Sequence, residues 1–353
     1  MEHNIYMQRC LELAKTGMRA AMPNPSVGAV LVHNGRIIGE GHTSPYGGPH
    51  GEVNCLNSVQ PENRHLIPEA TLYVSLEPCS HFGKTPPCCD LIIREQIKKI
   101  VIGTTDPHIK VAGNGIRRLQ EAGREVIVGV MEKECRDSNR RFFTFHEKKR
   151  PYIILKWAES ADGFLSPAKR DEQKPVWITN AYSRQLVHKW RSEEMAILVG
   201  TQTVLDDNPS LDVRSWSGSH PTRIVLDRHG KINSTHTVKD QKINTIVLTE
   251  QTDFTTLDNL LYEQTSFKNQ EPGQITDVLY RYNLLSVIVE GGAKTLQSFI
   301  NAGLWDEARI FKGTALLGNG VAAPKINGTV IAKQHILNDE LLILRNYDTS
   351  DNI

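Results

Sequence analysis

In the first third of the chain, segments with hydrophobic residues at helical spacing alternate with segments at strand spacing. The Asn34-Gly35 pair predicts a tight turn between the first two strands. In chain order, the pattern predicts a helix at 5–18, strands at 27–32 and 36–39, a helix starting near His50, a strand at 71–76, a helix at 88–95, a strand at 100–103, a helix at 115–122 and a strand at 125–130. This alternation predicts an α/β sandwich on a mixed or parallel sheet.

A second alternating series begins at Tyr152, after a charged stretch at 132–149 that we interpret as the end of the first series. Residues 251–275 are polar and are expected to form a variable loop. The apolar runs predict strands at 153–157, 196–199, 223–226, 243–248 and 286–289, and helices at 183–193 and 294–302. Because the two series do not repeat one another, we expect two different domains, 1–147 and 148–353.

Charge and cysteine usage narrow the classes of function. The 353 residues include 41 Lys and Arg against 40 Asp and Glu, which gives no support for a nucleic-acid-coating or polybasic membrane surface. No apolar run is long enough to span a bilayer, and the polar start MEHNIYMQRC has no signal-peptide core, so we expect a cytoplasmic protein. Cys79, Cys88 and Cys89 crowd together, which in a reducing compartment indicates a metal or catalysis.

The motif His50-Gly51-Glu52, followed by Cys79 after a proline and then by Cys88, has the residue types of a catalytic zinc site. One histidine and two cysteines supply three tetrahedral ligands and leave a position for water. Glu52 is then a proton shuttle that does not bind the metal, as in the H-x-E…P-C…C arrangement of zinc nucleobase deaminases. Prolines before His50 and Cys88 predict helix starts there, whose positive ends favour a thiolate.

The spacing of the cysteines departs from the usual pattern, because eight residues rather than two separate Cys79 from Cys88. A structural zinc site and unrelated buried cysteines are therefore alternatives. Cys89 can replace Cys88 as a ligand, although the residue directly after the prolines is preferred. Cys55, one turn into the helix that starts near His50, is expected to be a packing residue.

Several longer motifs resemble one family. They are NPSVG at 24–28, GHTSPYGGPHGE at 41–52, TLYVSLEPCSHFGKTPPC at 71–88, DPHIKVAGNGI at 106–116, RPYIILKWAESADGF at 150–164, WITNAYSRQLVHKWRSEEMAILVGTQTVLDDNPSLDVR at 177–214, PTRIVLD at 221–227 and VIVEGGAKTLQSF at 287–299. The chain resembles the bifunctional riboflavin-biosynthesis deaminase–reductases over nearly its whole length. The long spacing between the two cysteines is usual in that family.

The resemblance implies a fold and two reactions. The fold is α/β, with an N-terminal cytidine-deaminase-like three-layer α/β/α domain and a C-terminal dihydrofolate-reductase-like α/β domain. The implied reactions are deamination of a diaminopyrimidinone that carries a phosphoribosylamino group, and then reduction of its ribosyl chain to ribityl. The implied cofactors are one zinc ion and NADPH. A homodimer through the second domain is also implied, with no nucleic-acid or membrane partner.

In the deaminase half, Asn24 and His42 are expected to contact the substrate. Asn24 has the alternative of a turn residue before a proline. His42 and His81 bind phosphate or only complete their loop, and the residues leave these two interpretations open. Gly51 stands where the family commonly has alanine. We expect this glycine to be tolerated, because it lies at the start of the helix.

In the reductase half, no G-x-G-x-x-G follows a strand, so a Rossmann site is unsupported. The glycines of EGGAKT at 290–295 let backbone N–H groups approach a phosphate at a helix start, although a plain turn is an alternative. The resemblance implies cofactor contacts at Ala158, Trp177, Thr203, Asp207, Gly292, Ala293, Lys294, Thr295, Leu296, Gln297 and Ser298, and substrate contacts at Arg191, Leu211, Arg214 and Glu290. Lys156 and Asp162 lie in the matched LKWAESADG stretch, near the expected cleft. Lys156 is either a charge beside the hydride path or a member of a buried ion pair, and Asp162 has no assigned role. Pro175 stands where the family often has a small polar substrate contact.

Three other functions compete with this interpretation. The second half can be a ligand-binding module without catalysis, but it retains the polar residues of a reductase site. A deaminase of the tRNA-editing kind predicts a basic stripe and stacking aromatics, which a net charge of +1 and 7% aromatic residues do not favour. A non-enzymatic zinc scaffold leaves Glu52 unexplained.

Overall fold

The chain forms two separate structural units, Met1–Lys149 and Arg150–Ile353. The computed structural model describes residues 2–82, 86–108, 112–170, 172–267 and 272–347. Parts of two quoted motifs, 83–85 and 109–111, and residues 268–271 of the predicted polar loop lie outside the described residues.

The first unit is built around a five-stranded sheet with the strand order β2-β1-β3-β4-β5. Strand β1 runs antiparallel to β2 and β3, whereas β3, β4 and β5 are parallel. The elements are α1 (Glu2–Ala21), β1 (Gly28–His33), β2 (Arg36–His42), α2 (Gly51–Asn57), a 3₁₀ helix (Pro61–Glu69), β3 (Thr71–Val74), α3 (Cys88–Arg94), β4 (Lys99–Ile102), α4 (Asn114–Glu121), β5 (Glu125–Val128), α5 (Glu132–Ser138) and α6 (Arg140–Lys148).

Helices cover both faces of this sheet. One face places Val30, Tyr73 and Val101 against buried residues of α1 and α5, such as Met7 and Cys135. Because side chains alternate along a strand, the next residues of β1, β3 and β4 point to the other face, where α2 packs on β1 and β2 and contacts α3. This unit therefore has three layers, with α2 and α3 on the same side of the sheet.

The second unit contains a nine-stranded sheet with the order β11-β10-β9-β8-β12-β6-β13-β16-β15. The first seven strands in this order, from β11 at the edge to β13, are parallel. Strands β16 and β15 add antiparallel strands at the other edge. A separate ribbon pairs β7 with β14. The elements are β6 (Tyr152–Glu159), β7 (Phe164–Pro167), α7 (Ala181–Glu193), β8 (Ala196–Gly200), α8 (Thr201–Asp207), β9 (Thr222–Leu226), a 3₁₀ helix (Thr237–Lys239), β10 (Thr245–Thr249), β11 (Leu260–Gln264), α9 (Pro272–Arg281), β12 (Ser286–Val289), α10 (Ala293–Asn301), β13 (Glu307–Lys312), β14 (Gly320–Ala322), β15 (Thr329–Ile336) and β16 (Asp339–Arg345).

The larger sheet is also covered on both faces. On one face, strand residues such as Leu155 and Val289 pack against Leu279 of α9 and Phe299 of α10. The opposite face packs against α7 and α8, for example through Trp190. All the parallel strands end at one edge of the sheet, so the turns after β8, β9 and β12 are neighbours.

The observed elements confirm the predicted alternation and the α/β class of both halves. The stretch 132–149 does end the first unit, but it is not a pause in the pattern of elements. It forms α5, which buries Cys135, and α6, which buries Phe142 and Phe145. One interpretation was wrong. The stretch 251–275 is not a continuous loop, since it contains β11 and the start of α9. Among the described residues, no helix is long and apolar enough to cross a bilayer.

Candidate active sites

His50, Cys79 and Cys88 converge in the first unit, with their ligand atoms within 4.8 Å of one another. The His50 Nδ1 atom lies 3.5 Å from Cys79 Sγ and 3.4 Å from Cys88 Sγ. Tetrahedral bonds of zinc to nitrogen and sulfur predict N···S separations of about 3.5 Å. The donor types and distances therefore fit a zinc ion held by three residues.

Two helix starts bring these ligands together. His50 is the N-cap of α2, and Cys88 is the first residue of α3, as the prolines predicted. The backbone N–H of Cys88 donates to Cys79 Sγ at 3.3 Å. Hydrogen bonds from the Cys88 thiol and from His50 lower the pKa of Cys79. Cys79 is therefore readily held as the thiolate that zinc requires.

Glu52 lies in the first turn of α2 and is 3% exposed. Burial, together with the negative charge of Cys79, raises the pKa of Glu52 to about 7. A carboxyl group with a pKa near neutrality can both accept and return a proton at physiological pH. Its position beside the ligands, as a residue outside the ligand cluster, suits a proton shuttle.

The other nearby cysteines have packing partners. The Cys89 thiol is buried and donates to the Pro78 carbonyl at 3.3 Å, away from the ligand cluster. Cys55 is fully buried in the core. The geometry thus selects Cys88 over Cys89 as the third donor, as preferred from the sequence.

Asn24 and His42 flank β1 and β2 at the sheet end that faces the start of α2. His42 is paired with Gly28 in the strand register, and its carbonyl accepts from Asn54 of α2 at 2.7 Å. Asn24 is half-buried in the turn after α1, where its N–H donates to the Ala21 carbonyl. The turn interpretation and the substrate interpretation of Asn24 are therefore compatible.

Gly51 has a packing reason that the sequence does not reveal. A Cβ atom at this position would lie 2.5 Å from the Val27 carbonyl oxygen. In this chain, the start of α2 approaches the strand so closely that glycine fits without displacement.

His81 was singled out from the sequence without a definite role. Its exposed ring lies 6.5 Å from the ring of His108 in a stacked arrangement. His108 in turn meets His146 of α6 edge-on, with ring centroids 4.9 Å apart. The structure therefore places three imidazoles beside the loop that carries Cys79.

The turn between β12 and α10 in the second unit forms a tight backbone cradle. A Cβ atom on Gly291 would lie 2.9 Å from Thr295 Cβ, and one on Gly200 would lie 2.9 Å from Thr295 Oγ1. Gly292 is the N-cap of α10 and has no side chain that could accept from the first amides of the helix. Close backbone approach and uncapped N–H groups fit a phosphate of a dinucleotide such as NADPH.

The seven residues from Gly292 to Ser298 do not all face this cradle. Leu296 is fully buried in the core, and the Gln297 amide is tied to Lys325. Ser298 donates to the Thr295 carbonyl within the helix. The cradle therefore comprises the first turn, from Gly292 to Thr295.

Other predicted cofactor residues lie on neighbouring elements. Thr203 in α8 would be 3.6 Å from a Cβ on Gly292, so it borders the cradle. Asp207, at the end of α8, is ion-paired with Arg170. Trp177 is 59% exposed, with the Arg184 guanidinium 4.8 Å from its ring centroid. Ala158 is on β6, two strands from β8 in the sheet.

Arg191 and Glu290 form a buried ion pair that Lys156 joins. Arg191 Nε donates to Glu290 Oε1 at 3.1 Å, and Nη2 donates to Oε2 at 2.7 Å. Lys156 Nζ lies 3.8 Å from the same Oε2. Burial alone would raise the pKa of Glu290, but the two cations outweigh it and lower the pKa to about 2. Burial lowers the pKa of Lys156.

Leu211 and Arg214 lie on the loop after α8. Leu211 is buried in the core and has a φ of 52°, so only its main chain is available to a ligand. Arg214 is half-exposed and pairs with Asp212, whose carbonyl accepts from Arg191 at 3.3 Å. The three residues predicted to bind substrate from α7 and this loop are thus linked through Asp212.

Asp162 and Pro175 have simpler surroundings. Asp162 accepts hydrogen bonds from the Ser160 hydroxyl and from the Leu317 and Gly318 amides, so it holds two loops together. Pro175 is half-buried and has no N–H to offer a ligand.

The sequence argument missed two buried acids close to the metal ligands. Asp106 is 9% exposed, and burial raises its pKa to about 7. Glu77 is 4% exposed and accepts four backbone hydrogen bonds. Both lie in motifs that were quoted for the resemblance, but hydrogen bonds to main-chain groups leave no pattern in a sequence.

The fold and the His-Cys-Cys cluster of the first unit define a zinc deaminase, and the second unit is a separate α/β domain with a glycine-rich turn at the start of α10. Two family models agree: residues 1–104 match the cytidine and deoxycytidylate deaminase zinc-binding region, and residues 151–345 match the RibD C-terminal domain. The riboflavin biosynthesis protein RibD of Aquifex aeolicus is 38% identical over 331 residues, covering 90% of this chain and 88% of its own length. The chain therefore belongs to the RibD family.

Solved structures agree over the whole chain. A diaminohydroxyphosphoribosylaminopyrimidine deaminase/5-amino-6-(5-phosphoribosylamino)uracil reductase from Thermotoga maritima is 36% identical, with a TM-score of 0.87 and 98% of each chain covered. RibD from Acinetobacter baumannii is 30% identical, with a TM-score of 0.86, and the match covers 98% of this chain and 99% of that one. The chain is a bifunctional riboflavin-biosynthesis enzyme, with a zinc-dependent deaminase activity and an NADPH-dependent reductase activity. The expectation of both activities is confirmed.

Proposed function

We propose that the chain hydrolytically deaminates 2,5-diamino-6-(5-phosphoribosylamino)pyrimidin-4-one and then reduces the ribosyl chain of the resulting uracil to ribityl with NADPH. Deamination belongs to the domain at 1–147, and reduction to the domain at 148–353. The observation that carries the proposal is the convergence of His50, Cys79 and Cys88 beside buried Glu52. A structural zinc site would not need a buried acid with a raised pKa beside its ligands.

In the deaminase, His50, Cys79 and Cys88 would hold the zinc ion, which when bound would supply a water molecule of lowered pKa. A Glu52 carboxylate oxygen accepts one proton from the attacking water and delivers it to the ring nitrogen. Glu52 then moves the second proton, from the hydroxyl added to the ring carbon, to the amino group, which leaves as ammonia as the carbonyl forms. Its pKa of about 7 lets the same group act in both directions. Asn24 and His42, at the adjoining sheet end, bind and orient the substrate.

In the reductase, the first turn of α10 binds a cofactor phosphate through backbone amides, and Thr203, Asp207, Trp177 and Ala158 contribute the rest of the cofactor site. NADPH supplies the hydride when bound. A helix N-terminus and closely approaching glycines favour the negative charge of that phosphate.

The substrate of the reductase is bound by Arg191, Arg214 and Glu290, with Leu211 contributing its main chain. Arg214 is half-exposed and keeps donors available for a substrate phosphate. Arg191 and Lys156 hold Glu290 ionised and fixed in place, so its carboxylate is already oriented before the substrate binds.

Two variants separate the proposed roles. Glu52→Gln should lower the deamination rate by about 10²–10⁴ while the chain still reduces the deaminated substrate with NADPH. Arg214→Ala should raise the KM of reduction by roughly 10² and leave deamination unchanged. In each variant, the activity of the unchanged domain shows that the chain has folded. Loss of both activities in either variant, or of neither, would contradict the division of roles.

We also propose a cytoplasmic homodimer that forms through the second domain and has no nucleic-acid or membrane partner. This proposal follows the family and the near-zero net charge. Light scattering on the full chain should give twice the 39.6 kDa chain mass, and a mass of one chain would overturn the dimer.

A further inference from the structure

A buried carboxylate close to the metal ligands binds both ends of one loop. Glu77 Oε2 accepts from the Asp106 N–H at 3.2 Å and from the Gly113 N–H at 2.9 Å. Glu77 Oε1 accepts from the Gly115 N–H at 2.8 Å and from the Ile116 N–H at 3.2 Å. The Glu77 carboxylate thereby ties the start of the 106–116 segment to its end.

The same carboxylate caps α4 from a distant part of the chain. The N-cap residue of α4 is Gly113, which has a φ of 79° and no side chain to offer. The second and third amides of a helix are normally satisfied by the N-cap side chain. Here those amides, on Gly115 and Ile116, bond to Glu77 instead, and a negative charge at this end is favoured by the helix dipole.

The contact between α4 and the metal-ligand loop is too close for a larger residue. A Cβ atom on Gly115 would lie 2.1 Å from the Pro78 carbonyl oxygen and 3.1 Å from Glu77 Oε1. Farther along the helix, Arg118 donates to the Ser80 carbonyl at 3.1 Å. The residues on both sides of Cys79 are therefore joined to α4.

The tied segment places polar side chains beside the loop that carries Cys79. The Asp106 carboxylate is nearly buried and accepts from the His108 N–H at 2.7 Å, which sets the turn that follows. The His108 ring is stacked on that of His81, two residues after Cys79. A change in the hydrogen bonds of Glu77 would therefore move Asp106 and His108 relative to the metal ligands.

We propose that Glu77 is a positioning residue of the deaminase site, which fixes Asp106 and His108 against the metal-ligand loop so that they can bind the pyrimidine substrate. Glu77 itself does not touch the substrate or the metal. The inference rests on the proposed deaminase function.

The test compares Glu77→Gln with the wild-type full chain loaded with zinc. Glutamine keeps the size of the side chain but loses the charge and one acceptor oxygen. Because the displaced groups bind substrate without reacting, we expect the KM of deamination to rise roughly tenfold to a hundredfold, with kcat per bound zinc changed much less. Reduction and zinc content should stay at wild-type levels. Gly115→Ala, which disturbs the same contact between α4 and Glu77, should raise the KM in the same way.

Two further measurements separate positioning from a general loss of stability. Amide hydrogen exchange in the metal-loaded protein should be roughly tenfold faster or more at Asp106, Gly113, Gly115 and Ile116 in Glu77→Gln, and unchanged in β4. The matched control is Glu121→Gln, on the exposed side of α4, which should leave the KM and the exchange rates as they are.

The outcomes are distinct. A wild-type chain that binds zinc but does not deaminate would overturn the proposed function and this inference with it. A wild-type chain that deaminates, together with a Glu77→Gln variant of unchanged KM, would overturn the inference alone. Loss of zinc and activity in parallel, with a normal KM in the remaining loaded enzyme, would show that Glu77 only stabilises the fold and would also overturn it.

Discussion

Arg191 and Glu290 bind each other through two parallel hydrogen bonds beneath the surface of the second unit. Both residues were expected to contact the substrate, and the structure shows that they first form a pair, with Lys156 as a third member. A substrate therefore meets a carboxylate whose charge and direction are already fixed. Such preorganisation reduces the cost of ordering the site when the substrate binds.

The pair should make the second unit sensitive to acid. The pKa of Glu290 in the folded chain is about 2, below its ordinary value of about 4.3, so its ionised form contributes stability at neutral pH that is lost as the pH falls through this window. Glu290→Gln should lower the free energy of unfolding at pH 7 by about 3–5 kcal/mol, because it leaves buried cations unpaired. It should also flatten the dependence on pH between about 4.3 and 2.

Urea unfolding at several pH values measures this effect. The control is Glu340→Gln, which removes a carboxylate that pairs with Lys333 on the surface of the same unit and should change the unfolding free energy little. Equal pH slopes for Glu290→Gln and the wild type would contradict the assignment of the low pKa.

Adjacent cysteines offer a matched test of the metal site. Cys88→Ser should lower the zinc content well below one ion per chain and abolish deamination, because a hydroxyl is a poor zinc ligand. Cys89→Ser should keep the zinc, since the Cys89 thiol only bonds to the Pro78 and Gly115 carbonyls. Metal analysis of the two purified variants gives the answer, and the reverse result would reassign the third ligand to Cys89.

Trp177 should report cofactor binding by fluorescence. Its ring is largely exposed beside Arg184, so a nicotinamide dinucleotide that binds there should quench its emission. Titration with NADPH should quench the wild-type chain, and Trp177→Phe should lose most of that change. Trp216→Phe is the control. Trp216 is also exposed, and it lies on a different loop, with the Lys189 ammonium of α7 near its ring. Equal quenching in both variants would place the cofactor away from Trp177.

The predicted elements were accurate where the hydrophobic periodicity is bounded by prolines or by a turn sequence. Prolines before His50 and Cys88, and the Asn34-Gly35 turn, mark boundaries that local sterics impose on any fold. The helices at 132–149 were not predicted, because charged residues hide the apolar face of these two short helices, including Phe142. Helices this short are stabilised by tertiary packing, which a local pattern does not contain.

The metal site followed from the sequence because its ligands occupy a fixed motif with prolines at each end. A buried ion pair was one of two interpretations of Lys156, but its partners could not be identified from the sequence. Lys156, Arg191 and Glu290 come from β6, α7 and the end of β12 and meet only through the strand order β12-β6. Glu77 was missed for a related reason: its partners are amides 29 to 39 residues away.

The most direct test is the mass of the product formed from 2,5-diamino-6-(5-phosphoribosylamino)pyrimidin-4-one by the zinc-loaded full chain, with and without NADPH. Without NADPH, the product should show only the replacement of one amino group by oxygen. With NADPH, the same product should also gain two hydrogens on the ribosyl chain. Deamination that never proceeds to reduction would contradict the two-site account, and reduction without prior deamination would contradict the proposed order.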